Sequence, residues 1–166
     1  MKILKALLFT LILILFMSES TVTYAQVSWV VGGRMGLSIA SSGFGSSAGF
    51  QFGPMGEVLF NRNMAFGTEF NINTQSGTPI EWANQFKYYF DVPQSDIKPY
   101  VDGGFNLLFI TGGPYFGIRF GGGANFPIAP NLYIPADIQL GPIFTTGSTS
   151  FYIAITSGIR YYIPSY

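Results

Sequence analysis

Nine charged side chains share one strand parity: Arg34, Lys87, Arg119 and Arg160 against Glu57, Glu69, Glu81, Asp102 and Asp137. Paired carboxylates can serve as general acid and base, which is the first chemistry such a set invites. The second is ion pairing, and the near-balance of sign favours it, because unpaired charges in a confined space are costly. Histidine is absent, which removes Ser-His nucleophiles, His-activated water and His-ligated metals. The glycine runs Gly32-Gly33 and Gly121-Gly122-Gly123 are followed by no helical pattern, the context a phosphate-cradling loop requires. The reading is therefore a charge network with no catalytic residue, no cofactor and no metal, in a protein that is not an enzyme.

The elements that position this set are strands. From Trp29 onward the chain breaks into about eight alternating segments whose apolar parity carries no Lys, Arg, Asp or Glu. Trp29, Val31, Met35, Leu37 and Ile39 alternate with Gly32, Arg34, Gly36 and Ser38; Ile80, Trp82, Phe86, Tyr88 and Phe90 alternate with Glu81, Gln85, Lys87 and Tyr89. Side chains in a strand point to opposite sides in turn, so this pattern builds a sheet with one apolar and one polar face. Asn84, Thr68, Ser157, Pro54 and Pro142 dilute the apolar parity. Segments of about ten residues divided by turn residues are the signature of a transmembrane barrel, whose polar face lines the lumen and whose apolar face meets lipid.

Residues 1–25 read as a cleavable signal peptide, with Lys2 and Lys5 ahead of the apolar stretch 6–17 and a cleavage point after Ala25. The barrel domain is residues 26–166. No stretch reaches the roughly 18 apolar residues of a membrane helix. The formal net charge is zero with no basic run, which argues against nucleic-acid binding. Cysteine is absent, so stability must come from sheet closure and burial rather than disulfides.

Aromatic residues fall into two sets suited to the two membrane interfaces. Trp29, Phe60, Phe66, Tyr88, Phe90, Phe126 and Tyr161 lie near one end of the strands, and Phe50, Phe52, Trp82, Phe109, Phe116, Phe144 and Phe151 near the other. With the N-terminus on the inner side, segments 41–49, 74–79, 111–115 and 145–150 become outer connections, and 61–63, 91–99 and 127–131 inner turns. Inward glycines, among them Gly32, Gly53, Gly104 and Gly141, either make room and allow curvature or leave a narrow water path.

The segments 98–104 (Lys-Pro-Tyr-Val-Asp-Gly-Gly) and 119–126 (Arg-Phe-Gly-Gly-Gly-Ala-Asn-Phe) resemble strands of the small outer-membrane β-barrel proteins of Gram-negative bacteria. That superfamily includes OmpX-, OmpA- and OmpW-type barrels and the porin-like barrels of Bacteroidetes. The resemblance implies an all-β fold, an eight-stranded antiparallel up-and-down transmembrane barrel in the cell outer membrane. It also implies outer-membrane lipid and the outer-membrane assembly machinery as partners. Thr156, Gly158, Tyr161, Ile163 and the terminal Tyr166 resemble the signal that machinery reads, although Pro164-Ser165 interrupt the final strand.

Three functions follow from different classes. The leading expectation is a non-enzymatic barrel with a structural or surface-interaction role, its lumen closed by Arg/Lys–Glu/Asp pairs. The alternatives are a narrow pore or OmpW-like conduit for small or apolar solutes, using the rim from Phe109 to Phe116, and a soluble lipocalin-like barrel with the faces inverted.

Overall fold

A computed structural model describes residues 27–42, 45–75, 77–110, 112–145 and 147–164. The signal-peptide segment 1–25 and Tyr166 lie outside the described residues. Eight strands follow in order: β1 (Ser28–Ser42), β2 (Gly45–Leu59), β3 (Met64–Asn73), β4 (Ile80–Tyr89), β5 (Lys98–Ile110), β6 (Gly113–Ala129), β7 (Leu132–Thr145) and β8 (Ser148–Ile163). Each pairs antiparallel with its neighbour in sequence, and β1 pairs with β8, from Trp29 opposite Ile163 to Ser41 opposite Phe151, which closes the barrel. Closure leaves no edge strand among these eight.

The faces sort as the parity requires, polar inside and apolar outside. Arg119 and Glu69 are 0% exposed, while Leu37 is 65% and Phe86 62% exposed. A soluble barrel would bury the second set, so the lipocalin-like alternative is excluded: its exterior would be the face that carries Trp29, Phe70, Phe86 and Ile155. No helix among the described residues is long and apolar enough to cross a membrane; the strands do so.

Strand ends differ from the sequence reading. Segment 41–49 is mostly strand, because Ser38 to Ser41 stand opposite Gly49 to Ser46 and the backbone ladder continues where side-chain alternation fades. In the same way β6 begins at Gly113 and runs to Ala129, and β8 begins at Ser148. The connections shrink to 43–44, 111–112, 130–131 and 146–147. Tight turns need positive φ, supplied by Gly112 (106°), Gly147 (81°) and Asn131 (61°). In the β2–β3 turn, Asn61 Oδ1 accepts the backbone N–H of Asn63 at 2.9 Å and of Met64 at 2.7 Å, the Asx pattern that reverses a chain locally.

Inward glycines mark close approaches of backbone. A Cβ on Gly53 would stand 1.7 Å from the carbonyl oxygen of Phe70, one on Gly141 1.9 Å from that of Ile118, and one on Gly104 2.0 Å from that of Asn84. These positions let the sheet curve tightly enough to close. Gly67 differs: its Cβ would meet the Glu57 side chain at 3.2 Å, so that glycine makes room for a neighbour.

Candidate functional site

All nine charged residues singled out above are buried inside the barrel. The register explains how so small an interior accepts them. Arg34 stands opposite Gly53 and Gly158, Glu57 opposite Gly67, Asp102 opposite Gly121, Arg119 opposite Gly104, Asp137 opposite Gly123, and Arg160 opposite Gly32. Glycine opposite a long side chain lets the strands approach closely, and at Gly67 and Gly121 it also leaves room for the Glu57 and Asp102 side chains, the large-against-small pairing of narrow barrels.

Glu69 on β3 is the hub of the outer half. Its Oε2 accepts Arg34 Nη1 at 2.5 Å and Arg119 Nη2 at 3.0 Å, and its Oε1 accepts Gln85 Nε2 at 2.6 Å. Arg34 also donates to Thr156 Oγ1, and Arg119 Nε donates to Gln139 Oε1. Glu81 is held by amides, Asn106 Nδ2 at 2.6 Å and Asn71 Nδ2 at 3.0 Å, with Arg119 Nη1 more distant at 3.5 Å.

Glu57 is the hub of the inner half. Lys87 Nζ pairs with its Oε1, Tyr89 donates its hydroxyl to Oε2 at 2.7 Å, and Arg160 lies 3.7 Å away. Arg160 spreads over more partners: Asn125 Oδ1 at 2.7 Å, the Tyr100 hydroxyl at 3.0 Å and Asp137 Oδ1 at 3.5 Å. The Tyr100 ring faces both cations, 4.9 Å from the Arg160 guanidinium and 5.1 Å from Lys87 Nζ, so each gains a π-face as well as a carboxylate.

Two clusters of buried apolar and tyrosine side chains lie toward the two ends of the interior. Val30, Leu59, Ala65, Tyr89 and Tyr100 pack together with Tyr162 at the inner end, where β1 begins. Ile143, Tyr152 and Ala154 pack with Leu108 and Tyr115 at the outer end. Between these clusters most of the charged groups pair across strands, whereas Asp102 Oδ1, Asp137 Oδ2 and the Nε atoms of Arg34 and Arg160 have no partner among the described residues.

The sequence reading passed over the neutral donors and acceptors that complete the network: Gln85, Gln139, Asn71, Asn106, Asn125, Tyr89 and Tyr100. Their one signal was a shared inward parity. The assembly-signal residues divide between faces. Thr156 is buried against Arg34 and Gly158 is opposite it, whereas Tyr161 and Ile163 are exposed on the outer surface.

No protein-family model and no curated protein matches the sequence. Solved structures do match in fold. The chain is similar to Neisserial surface protein A, with 19% identity, 81% of this chain and 97% of that chain covered, and a TM-score of 0.69. It is similar to the N-terminal β-barrel domain of Pseudomonas aeruginosa OprF, with 12% identity, coverage of 83% and 98%, and a TM-score of 0.63. The outer membrane protein AlkL, solved in lipid bilayers, gives 13% identity, coverage of 88% and 94%, and a TM-score of 0.55. With its polar interior, its apolar exterior and this shared architecture, the chain has the fold of the small eight-stranded outer-membrane β-barrels. Among barrels of that fold it carries a buried network of its own charged and polar side chains in the interior.

Proposed function

We propose that the protein is a non-enzymatic, structural barrel of the outer membrane whose lumen is sealed. The observation that carries this reading is the buried charge network lying between two apolar caps, Tyr89–Tyr100–Tyr162 at one end and Ile143–Tyr152–Leu108 at the other. A structural role is favoured over surface recognition because binding usually resides on long loops. Here the outer connections are 43–44, 74–79, 111–112 and 146–147, and none contains a charged residue. On this reading the partners are outer-membrane lipid along the apolar belt and, during biogenesis, the assembly machinery that reads the final strand.

The test is conductance in planar bilayers of the purified, folded protein. Silence from the wild type and from the Arg119→Ala/Glu69→Ala double variant supports a sealed barrel and removes the pore reading. Discrete openings of the wild type would overturn the proposal in favour of a pore.

A further inference from the structure

Apart from the nine charges of the interior, the described residues carry four charged side chains, Arg62, Asp91, Asp96 and Lys98. All four line one cavity of about 430 Å³ at the inner end of the barrel, together with Tyr133 of β7. That volume lies within the range of small-molecule sites, roughly 300–1,000 Å³. The outer connections carry no charge at all. Among the described residues, every charge outside the lumen network is therefore gathered around a single concavity.

Separate stretches of chain build its walls. The β2–β3 turn brings Arg62, the connection 90–97 brings Asp91 and Asp96, and β5 and β7 bring Lys98 and Tyr133. Asn63 ties the turn to the connection: its Nδ2 donates to the Tyr89 carbonyl at 2.9 Å and to Asp91 Oδ2 at 3.2 Å. The connection is folded on itself by the Ser95 N–H on the Val92 carbonyl and the Ile97 N–H on Ser95 Oγ, both at 3.2 Å, with Gln94 at a φ of 62°. The cavity is thus shaped by the chain itself, which lowers the ordering cost of filling it.

The four charges are two of each sign, yet none pairs with another. Lys98 Nζ lies over the Tyr162 and Tyr133 rings, at 5.1 Å and 5.7 Å, and Asp91 takes the Asn63 amide. The Arg62 and Asp96 side chains are left without a partner among the described residues. One cavity therefore offers a free guanidinium and a free carboxylate, held too far apart to satisfy each other. A molecule that carries both signs engages the two at once.

We infer that this cavity binds a zwitterionic solute of the amino-acid or short-peptide class, its carboxylate on Arg62 and its ammonium on Asp96. A guanidinium matches a carboxylate through two parallel hydrogen bonds. Val92 and Ile97, both exposed, give the ligand's side chain an apolar wall. Tyr133 and Lys98 have the inward parity, which places the cavity at the mouth rather than along the lipid belt and favours a dissolved ligand over a lipid headgroup with the same pair of charges. The site lies outside the lumen network and does not depend on whether the lumen is sealed.

The experiment is isothermal titration calorimetry of the folded full chain in non-ionic detergent, with the dipeptide alanyl-leucine as probe. Saturable binding is expected. Acetylating the amine or amidating the carboxylate should each weaken it about tenfold or more, since each removes a hydrogen bond between charged groups. Arg62→Gln should bind the dipeptide and its amide alike, and Asp96→Asn the dipeptide and its acetylated form alike. The ligand series on the wild type decides the matter alone if a variant does not fold. Equal binding of the doubly blocked dipeptide would mean apolar contact only, and no saturation up to about 10 mM would mean solvated charges only; either overturns the site. Tighter binding of glycerophosphoethanolamine than of the dipeptide would assign the cavity to a lipid headgroup and overturn the peptide class.

Discussion

Truncating Glu69 should cost more stability than truncating any other charged residue of the interior. Glu69→Ala deletes the acceptor of Arg34 at 2.5 Å, Arg119 at 3.0 Å and Gln85 at 2.6 Å. Breaking one buried ion pair by removing a partner costs roughly 3–5 kcal/mol, because the other charge stays behind without compensation. Here two guanidinium groups are left, but Thr156 and Gln139 still accept from them, so the loss should fall near the upper end, about 5 kcal/mol. That is more than about a thousandfold in the unfolding constant. Asp102→Ala is the matched control: it makes the same change in net charge and breaks no ion pair, only the 3.3 Å bond from Gln139, so about 1 kcal/mol is expected. Urea unfolding in lipid vesicles, read by the fluorescence of the exposed Trp29 and Trp82, measures both. If Glu69→Ala costs no more than Asp102→Ala, the interior is hydrated enough to screen its charges, and the reasoning from a dry network fails.

Two further perturbations probe the outer face and the closure. Phe86→Arg places a cation on a position that is 62% exposed to the outside; the expected cost is roughly 2–4 kcal/mol near the bilayer midplane, whereas unchanged stability would mean that this face does not meet lipid. Gly53→Val should prevent closure, since its Cβ would lie 1.7 Å from the Phe70 carbonyl oxygen, and heat-modifiable gel migration should vanish. Gly56→Ala, whose nearest contact would be 4.0 Å from the Val30 carbonyl oxygen, should migrate as the wild type does.

The sequence specified the faces of the barrel more fully than its ends or its internal partners. Period-two alternation survives in any strand with one apolar face, so Trp29 to Ile39 and Ile80 to Phe90 declare both their conformation and their orientation. The ends did not declare themselves because Ser46, Ser47 and Gly49 carry no apolar signal, although their backbones pair with β1. Nor does parity give partners. Lys87 and Asp102 are register neighbours, yet Lys87 reaches Glu57 instead, and that choice depends on the room at Gly67 and on the Tyr100 ring. Asn84 is a further case. It has the lipid-facing parity and dilutes the apolar pattern, but between Thr68 and Phe105 in register it is only 6% exposed.

On the proposed reading, sealing of this barrel would be a property of register rather than of any one ion pair. An eight-stranded interior is just wide enough for side chains to fill. Arginine opposite arginine would overpack it, and glycine opposite glycine would leave a path for water. Arg34 opposite Gly53 and Gly158, Arg119 opposite Gly104, and Arg160 opposite Gly32 do neither. The inward glycines therefore serve both closure and filling, through close approach at Gly53 and Gly104 and through space at Gly67. It follows that the Arg119→Ala/Glu69→Ala variant should be less stable and still silent in a bilayer, because Tyr89 and Tyr100 at one end and Ile143 and Tyr152 at the other remain in place. A conducting variant would have to lose a cap as well as the charges beneath it.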